Sequence, residues 1–175
     1  GKGTEPEEAK AVQYFEKSAE YGNVHAKYQL ARIYLKREKE KLEAGQPAEE
    51  EKVRQAITWL TEFADQGNDF AAYALGSLYL EGVLTERDIS KAILYLTQAA
   101  DQNHVYAQFR LGKLYLTEEC QDITKAIHYL KLAANQCNSF AAYRLGRLYL
   151  LGEQVQKDVE QAVCSLLQSA DAGNS

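Results

Sequence analysis

The sequence predicts an all-α fold built from repeated pairs of helices, and two recurring blocks support this prediction. One block, AKYQLARIYL from residue 26, recurs as AAYALGSLYL, AQFRLGKLYL and AAYRLGRLYL at intervals of 45, 36 and 34 residues. A second block, KAVQYFEKSAEYGN from residue 10, alternates with the first and recurs four times. Both blocks place apolar residues at helical spacing and neither sustains the alternation of a strand, so each block is predicted to be one helix.

About nine helices follow from these blocks. The first is a second-block helix over about 5–21, and its start is indicated by the capping-box spacing of Thr4 and Glu7 with Pro6 in the first turn. We expect residues 1–4 to be a linker or a remnant of cloning, and residues 5–174 to form a single repeat domain whose chain was cut from a longer array. Four helix pairs are predicted after the first helix, at about 24–66, 69–102, 104–136 and 139–172.

The ends of the second-block helices carry a repeated turn signal. Gly22, Gly67 and Gly173 are each followed by Asn, and each stands where a left-handed residue would end a helix. Asn103 can replace glycine there because Asn tolerates this conformation. Cys137 fits the position badly, so the sequence predicts a differently built turn at that junction.

Two classes of residue are predicted to pack the helices together. The first consists of small residues at fixed places in the first-block helices, which we interpret as points of close approach between helices: Ala26, Ala71, Gly76, Gly112 and Gly146. The second consists of aromatic residues on the apolar face of the second-block helices, which are predicted to lie in the core: Trp59, Phe63, Tyr95 and Tyr129.

The first helix pair contains nine extra residues between its blocks. The segment KREKEKLEAG strongly favours a helix, and Gly45, Gln46 and Pro47 then end it. We therefore predict a first-block helix about two turns longer than its counterparts. Because the extension is nearly all charged, we interpret it as a solvated, protruding helix end rather than a specific binding arm.

The phrase AAYALGSLYLEG followed by DISKAILYLTQAADQN resembles the Sel-one-like repeat, a relative of the tetratricopeptide repeat, and this resemblance covers nearly the whole chain. It implies a right-handed α/α superhelix, or solenoid, of antiparallel helix pairs, with the first helices lining a concave face. It also implies a non-catalytic protein–protein interaction scaffold. The segment LGRLYLLGEQVQKDVEQAV is similar to repeats appended to bacterial plasmid-mobilisation relaxases. The alternative function is therefore a targeting or tethering tail of a larger bacterial enzyme of that kind.

Positions that vary between the repeats form a stripe on the first-block helices. In the first pair they are spaced i, i+4, i+7 and i+11, which places them on one helix face. In the family geometry that face points into the groove, beside a row of further aromatic residues: Tyr28, Tyr73, Phe109 and Tyr143. The predicted peptide-binding residues of the stripe are His25, Gln29, Arg32, Lys36, Phe70, Tyr106, Arg110, Lys113, Phe140, Arg144 and Arg147.

This stripe is basic and aromatic, although the chain carries a net charge of −5. Arg side chains suit bidentate contacts with carboxylates, and grooves of helical repeats hold extended or helical peptides. The sequence therefore predicts a protein or peptide partner, with an acidic segment as the candidate. The competing interpretation is a solvated face that is neutralised by acidic groups on adjacent repeats. Nucleic acid is a weaker candidate because the net charge is negative.

The sequence offers no pattern typical of an enzyme, a metal site or a cofactor site. The three histidines fall in different repeats, and the three cysteines form no metal-ligand spacing. We expect no catalysis and no cofactor. No apolar run approaches the roughly 20 residues that span a bilayer, so no membrane partner is expected. With an odd number of cysteines, a reducing compartment and hence a cytoplasmic location are expected. The similarity to relaxase-associated repeats implies a bacterial source.

Overall fold

The computed structural model describes residues 5–152, 155–171 and 173, and the predicted linker at 1–4 lies outside the described residues. Within those ranges every regular element is a helix, so the prediction of an all-α fold is confirmed. The helices are α1 (Glu5–Glu20), α2 (Val24–Glu43), α3 (Glu50–Asp65), α4 (Asp69–Glu81), α5 (Ile89–Asp101), α6 (Val105–Leu114), α7 (Ile123–Asn135), α8 (Ser139–Leu151) and α9 (Val159–Asp171). No described helix combines the length and the apolar character needed to cross a bilayer.

The chain divides into two compact units, Gly1–Ala92 and Ile93–Ser175. In the first unit α2 packs against α1 and α3, and α3 packs against α4. In the second unit α7 packs against α6 and α8, and α8 packs against α9. Helices therefore contact mainly their neighbours in the sequence, as expected of stacked repeats. The expectation of a single repeat domain over residues 5–174 stays a prediction.

Leucine and alanine form the core of each unit. Leu30, Leu60 and Leu75 are fully buried in the first unit, and the second unit has the same pattern at Leu96, Leu111 and Leu130. Alanines fill the space between these leucines because their small side chains let the helices approach closely.

The prediction that four aromatic residues of the second-block helices lie in the core is correct only for Phe63. Trp59, Tyr95 and Tyr129 are half-buried, because each stands one position before the buried leucine and is therefore turned about 100° around its helix. They cover the edges of the core instead. Trp59, for example, stacks on Tyr34 with ring centroids 6.3 Å apart.

Two of the small residues in the first-block helices mark points of close helix contact, as predicted. A Cβ atom at Gly112 would lie 2.6 Å from Leu130 Cγ, and one at Gly146 would lie 2.6 Å from Leu166 Cγ. Both distances are too short for any side chain. Glycine is therefore required at both places despite its cost inside a helix.

The helix ends confirm the left-handed residues that the sequence predicts. Gly22, Gly67 and Gly173 have φ values of 83°, 87° and 89°, and Asn103 has a φ of 64°. The prediction of a differently built turn at Cys137 is wrong, because Cys137 adopts the same left-handed conformation with a φ of 60°.

Hydrogen bonds explain why Cys137 accepts this conformation. Its N–H donates to the carbonyl of Ala134 at 2.9 Å, and the N–H of Asn138 donates to Ala133 at 3.1 Å. The turn at Gly67 makes the same two bonds. Asn138 Oδ1 then accepts from the N–H of Ala141 at 2.9 Å and caps α8. These bonds hold the turn against the strain of a Cβ atom at positive φ.

Helix α2 is 20 residues long, whereas α4 and α8 have 13, so the predicted extension is confirmed. Its interpretation as a solvated, protruding end is wrong in part. Glu38, in the middle of the extension, is only 1% exposed. Further contacts tie the extension to the rest of the first unit, since Lys39 Nζ lies 2.9 Å from Glu81 Oε2 at the end of α4.

The buried Glu38 carboxylate holds the start of α3. Its Oε2 accepts a hydrogen bond from the N–H of Glu49 at 2.7 Å, and its Oε1 accepts from Lys41 Nζ at 2.9 Å. Burial alone would raise the pKa of Glu38, but the hydrogen bonds from Glu49 and Lys41 outweigh it and hold the pKa below its ordinary value of 4.5. The end of α2 and the start of α3 are thus joined by hydrogen bonds to one buried carboxylate, which explains why a nearly all-charged segment is not fully solvated.

Replacing this carboxylate tests its role. Glu38→Ala is expected to lower the free energy of unfolding by about 1.5–3 kcal/mol, because it leaves the Glu49 N–H without its buried acceptor and Lys41 with only its pair to the Glu49 side chain. Chemical denaturation at neutral pH measures the change. The difference from the wild type should shrink as pH falls through the lowered pKa of Glu38, since a protonated carboxyl no longer attracts Lys41.

The matched control is Glu40→Ala, which removes an exposed pair with Lys36 at 3.7 Å and should cost less than about 0.5 kcal/mol. Equal losses in both variants would show that Glu38 has no special role.

The strain at Cys137 gives a second prediction. Cys137→Gly is expected to stabilise the protein by up to about 1 kcal/mol, because glycine adopts positive φ freely although it adds entropy to the unfolded chain. The reciprocal variant Gly67→Cys should destabilise it, since no atom lies within 4 Å of the added Cβ and only the backbone strain is introduced. Thermal melts of both variants test the pair. If both variants changed the melting temperature in the same direction, the interpretation that Cys137 is strained would be contradicted.

Candidate functional site

A cavity of about 610 Å³ opens between α6 and α8 in the second unit. This volume falls within the roughly 300–1,000 Å³ of typical ligand sites. Three of its lining residues are basic: Lys113, Arg144 and Arg147. The other six are aromatic or apolar: Phe109, Leu116, Phe140, Tyr143, Leu148 and Leu151.

Helix geometry brings these side chains to one side of the unit. On α6, Phe109 and Lys113 are one turn apart, and Leu116 follows just beyond the helix. On α8, Phe140, Arg144, Arg147 and Leu151 follow the i, i+4, i+7, i+11 spacing of a single face. Each helix starts at a side-chain cap, provided by His104 Nδ1 for α6 and by Asn138 Oδ1 for α8. The caps fix where each helix begins and hence which residues face the cavity.

Among the described residues, no acidic side chain neutralises the basic groups of the cavity. Within those residues no carboxylate lies within ion-pair distance of Lys113, Arg144 or Arg147. Burial lowers the pKa of Lys113, and repulsion from Arg144 and Arg110 lowers it further. The cavity is therefore positively charged and partly desolvated, an arrangement that favours an anionic ligand.

Aromatic rings hold two of the cations in place. Lys113 Nζ lies 5.5 Å from the centroid of the Phe109 ring, and Arg147 Cζ lies 6.0 Å from that of Tyr143. Both distances suit a cation–π contact. Phe109 also contacts Phe140 on α8, with centroids 6.3 Å apart. Phe140 is 60% exposed and Leu151 is 50% exposed, so apolar surface is open to a ligand beside the charges.

The first unit repeats the aromatic and cationic pair on α2. Arg32 Cζ lies 5.8 Å from the centroid of the Tyr28 ring, at the same spacing in the sequence. Next to it, Gln29 Nε2 lies 3.3 Å from His25 Nε2. Lys36 differs from these residues because it pairs with Glu40 on its own helix at 3.7 Å. Lys36 therefore already has an acidic partner on its own helix.

The second helix pair departs from this pattern at Ser77, because the other pairs have Arg32, Lys113 and Arg147 at the same position. Its Oγ atom is buried and has no hydrogen-bond partner among the described residues. Tyr73 provides the aromatic residue, but the cation is absent. The basic character of the first-block helices thus changes from repeat to repeat on one shared framework.

The cavity contains four of the eleven predicted site residues: Lys113, Phe140, Arg144 and Arg147. Arg110 lies near Lys113 and contributes charge, while Tyr106 and Phe70 are each 59% exposed at the starts of their helices. The sequence did not assign Leu116 and Leu148 to the site. Leu116 stands three residues after Lys113, and Leu148 stands four residues after Arg144. This helical spacing places each leucine beside a predicted site residue and was the signal that could have found them.

Comparison with known proteins identifies the repeat. The Sel1 repeat family model matches residues 1–23, 24–68, 69–104, 105–136 and 139–174. No curated protein matches the chain. Proteins of the Sel1 family are generally non-catalytic scaffolds for protein–protein interaction.

Solved structures of bacterial proteins show the same fold. A protective antigen of uropathogenic Escherichia coli with an SLR fold is 29% identical, with a TM-score of 0.71, and the match covers 93% of this chain and 33% of that protein. A Sel1 repeat protein from Oxalobacter formigenes is 31% identical, with a TM-score of 0.68, and the match covers 94% of this chain and 45% of that protein. An immunity protein from Pseudomonas aeruginosa, 18% identical over 92% of this chain and 73% of its own, shares the fold with a TM-score of 0.54. The chain spans less than half the length of the first two proteins. With family matches over nearly every residue, the chain belongs to the Sel1 repeat family.

Proposed function

We propose that this chain is a non-catalytic scaffold that binds an acidic peptide or protein segment in the cavity between α6 and α8. The observation that carries the proposal is the set of three cations, Lys113, Arg144 and Arg147, that line a partly apolar cavity without a carboxylate partner in the described part of the chain. A partner would supply the missing negative charge.

Carboxylate groups fit this arrangement chemically. An Arg guanidinium donates two parallel hydrogen bonds to one carboxylate, and such charge-assisted bonds are roughly twice as strong as neutral ones. Arg144 and Arg147 lie one turn apart on α8 and can each bind an acidic side chain. Partial desolvation at Lys113 strengthens these interactions relative to bulk water.

The apolar walls imply that the segment also carries bulky apolar side chains. Phe140 and Leu151 lie more than 10 Å apart along α8, by the helix rise of 1.5 Å per residue, with the arginines between them. A ligand along α8 would meet apolar surface at both ends and positive charge in the middle. Aromatic residues and arginine are also the types that most often carry binding energy at protein interfaces.

The remaining predicted contacts stay proposals. On the first unit they are His25, Gln29, Arg32, Lys36 and Phe70, and on the second unit Tyr106 and Arg110 lie outside the walls of the cavity. We also keep a cytoplasmic location in a bacterium as a proposal, and the bacterial origin of the similar structures supports only its bacterial part.

Charge reversal tests the proposal. The double variant Arg144→Glu with Arg147→Glu is expected to weaken binding of a fluorescently labelled acidic peptide that contains leucine and tryptophan. The loss should be roughly tenfold or more, because each lost charge-assisted hydrogen bond costs about 1.5–3 kcal/mol. Fluorescence anisotropy measures the Kd, and wild-type affinity should fall with rising salt because the contact is electrostatic.

The matched control reverses two other exposed cations of the second unit, with Lys131→Glu and Lys157→Glu. It makes the same change in net charge away from the cavity, so it should leave the Kd within about twofold of the wild type. Circular dichroism should show the same helix content in all three proteins. Similar losses in both double variants would mean that net charge alone, and not this cavity, governs binding.

A further inference from the structure

Lys113 lies in different surroundings from the lysines that form ion pairs with carboxylates. It lines the cavity together with Arg144 and Arg147, and its Nζ lies over the Phe109 ring. Other lysines are paired with carboxylates, for example Lys91 with Asp88 at 3.5 Å and Lys125 with Asp122 at 3.2 Å. We propose that Lys113 is a covalent modification site, acylated on Nζ by small anionic acyl donors of the acyl phosphate class.

The surroundings of Lys113 increase the fraction of its amine that is neutral and able to react. Only the neutral amine attacks an acyl group, and its fraction at a given pH rises as the pKa falls. Partial burial beside the apolar wall, together with the charges of Arg144 and Arg110, lowers the pKa of Lys113. By contrast, hydrogen bonding to Asp122 raises the pKa of Lys125. The two lysines therefore differ in reactivity for a physical reason that can be measured.

The same cavity offers a place for the donor. A phosphate group carries negative charge and several acceptor oxygens, which suit the guanidinium groups of Arg144 and Arg147. A phosphate held there brings its attached acyl carbon toward Lys113 Nζ, while the apolar wall accepts the acyl chain. Holding the two reactants together raises their effective concentration.

The reaction balances without any further reagent. The lone pair of the Nζ amine attacks the acyl carbon and forms a C–N bond. The bond between the acyl carbon and the phosphate oxygen breaks, and inorganic phosphate leaves with the bonding electron pair. The amine loses a proton to solvent, so that the product is a neutral amide.

Acylation would remove one of the three positive charges that line the cavity. If the cavity binds an acidic segment, as proposed above, the modified protein would bind it more weakly. This consequence rests on the proposed function. The modification itself does not, since it needs only the cavity and the donor.

The test treats the whole chain with acetyl phosphate at mildly alkaline pH and follows the acetylation rate of each lysine by quantitative mass spectrometry. Lys113 should react several-fold faster than Lys125, which serves as the internal control. Arg144→Gln should slow Lys113 several-fold, since it removes both a repelling charge and a phosphate contact, and should leave the rate at Lys125 unchanged. Added sulfate should slow only Lys113 in the wild type.

A second reagent separates the effect of the lowered pKa from the effect of phosphate binding. With an uncharged acetyl ester of N-hydroxysuccinimide, Lys113 should still react faster than Lys125, but sulfate should have no effect on it. The proposal is overturned if Lys113 reacts with acetyl phosphate no faster than Lys125, or if Arg144→Gln leaves its rate unchanged. Because no peptide is used, these outcomes are independent of whether the cavity binds an acidic segment.

Discussion

The close approach of a leucine to a glycine is the contact on which the second unit depends. Leu130 of α7 packs onto Gly112 of α6, and Leu166 of α9 packs onto Gly146 of α8, so closely that a Cβ atom on either glycine would lie 2.6 Å from the leucine Cγ. These contacts bury Leu130 fully and Leu166 partly, and they fix the rotation of each first-block helix about its own axis. The face turned away from the contact is then open.

This packing also sets the direction of the basic side chains. Gly112 is followed directly by Lys113, and Gly146 by Arg147, so each cation is turned about 100° from the buried contact. In the first unit the buried Ala31 precedes Arg32 in the same way. This position carries Arg, Lys or Ser beside nearly identical packing residues, which explains how the repeats differ in charge on one framework.

The sequence predicted the helices and most of the caps because both depend on local patterns that recur in every repeat. It was wrong where one contact outweighs local preference. Cys137 adopts positive φ because the hydrogen bonds of its turn and the cap of α8 compensate the strain, and Glu38 is buried because Lys41 and the Glu49 N–H satisfy its charge. The basic half of the cavity was predictable from repeat comparison. Of its apolar half, Phe140 was predicted as a site residue and Phe109 and Tyr143 as its neighbours, whereas Leu116 and Leu148 were not assigned because they look like ordinary packing residues.

Adjacent positions on a first-block helix serve packing and binding separately. Replacing Gly112 and Lys113 each by valine tests this separation most directly. Gly112→Val should lower the free energy of unfolding by about 1–3 kcal/mol through overpacking against Leu130. Lys113→Val should change it by less than about 0.5 kcal/mol, because that side chain is exposed apart from its partial burial against the cavity wall, while weakening binding of the acidic peptide. Equal costs at the two positions, or unchanged peptide binding by Lys113→Val, would contradict the account.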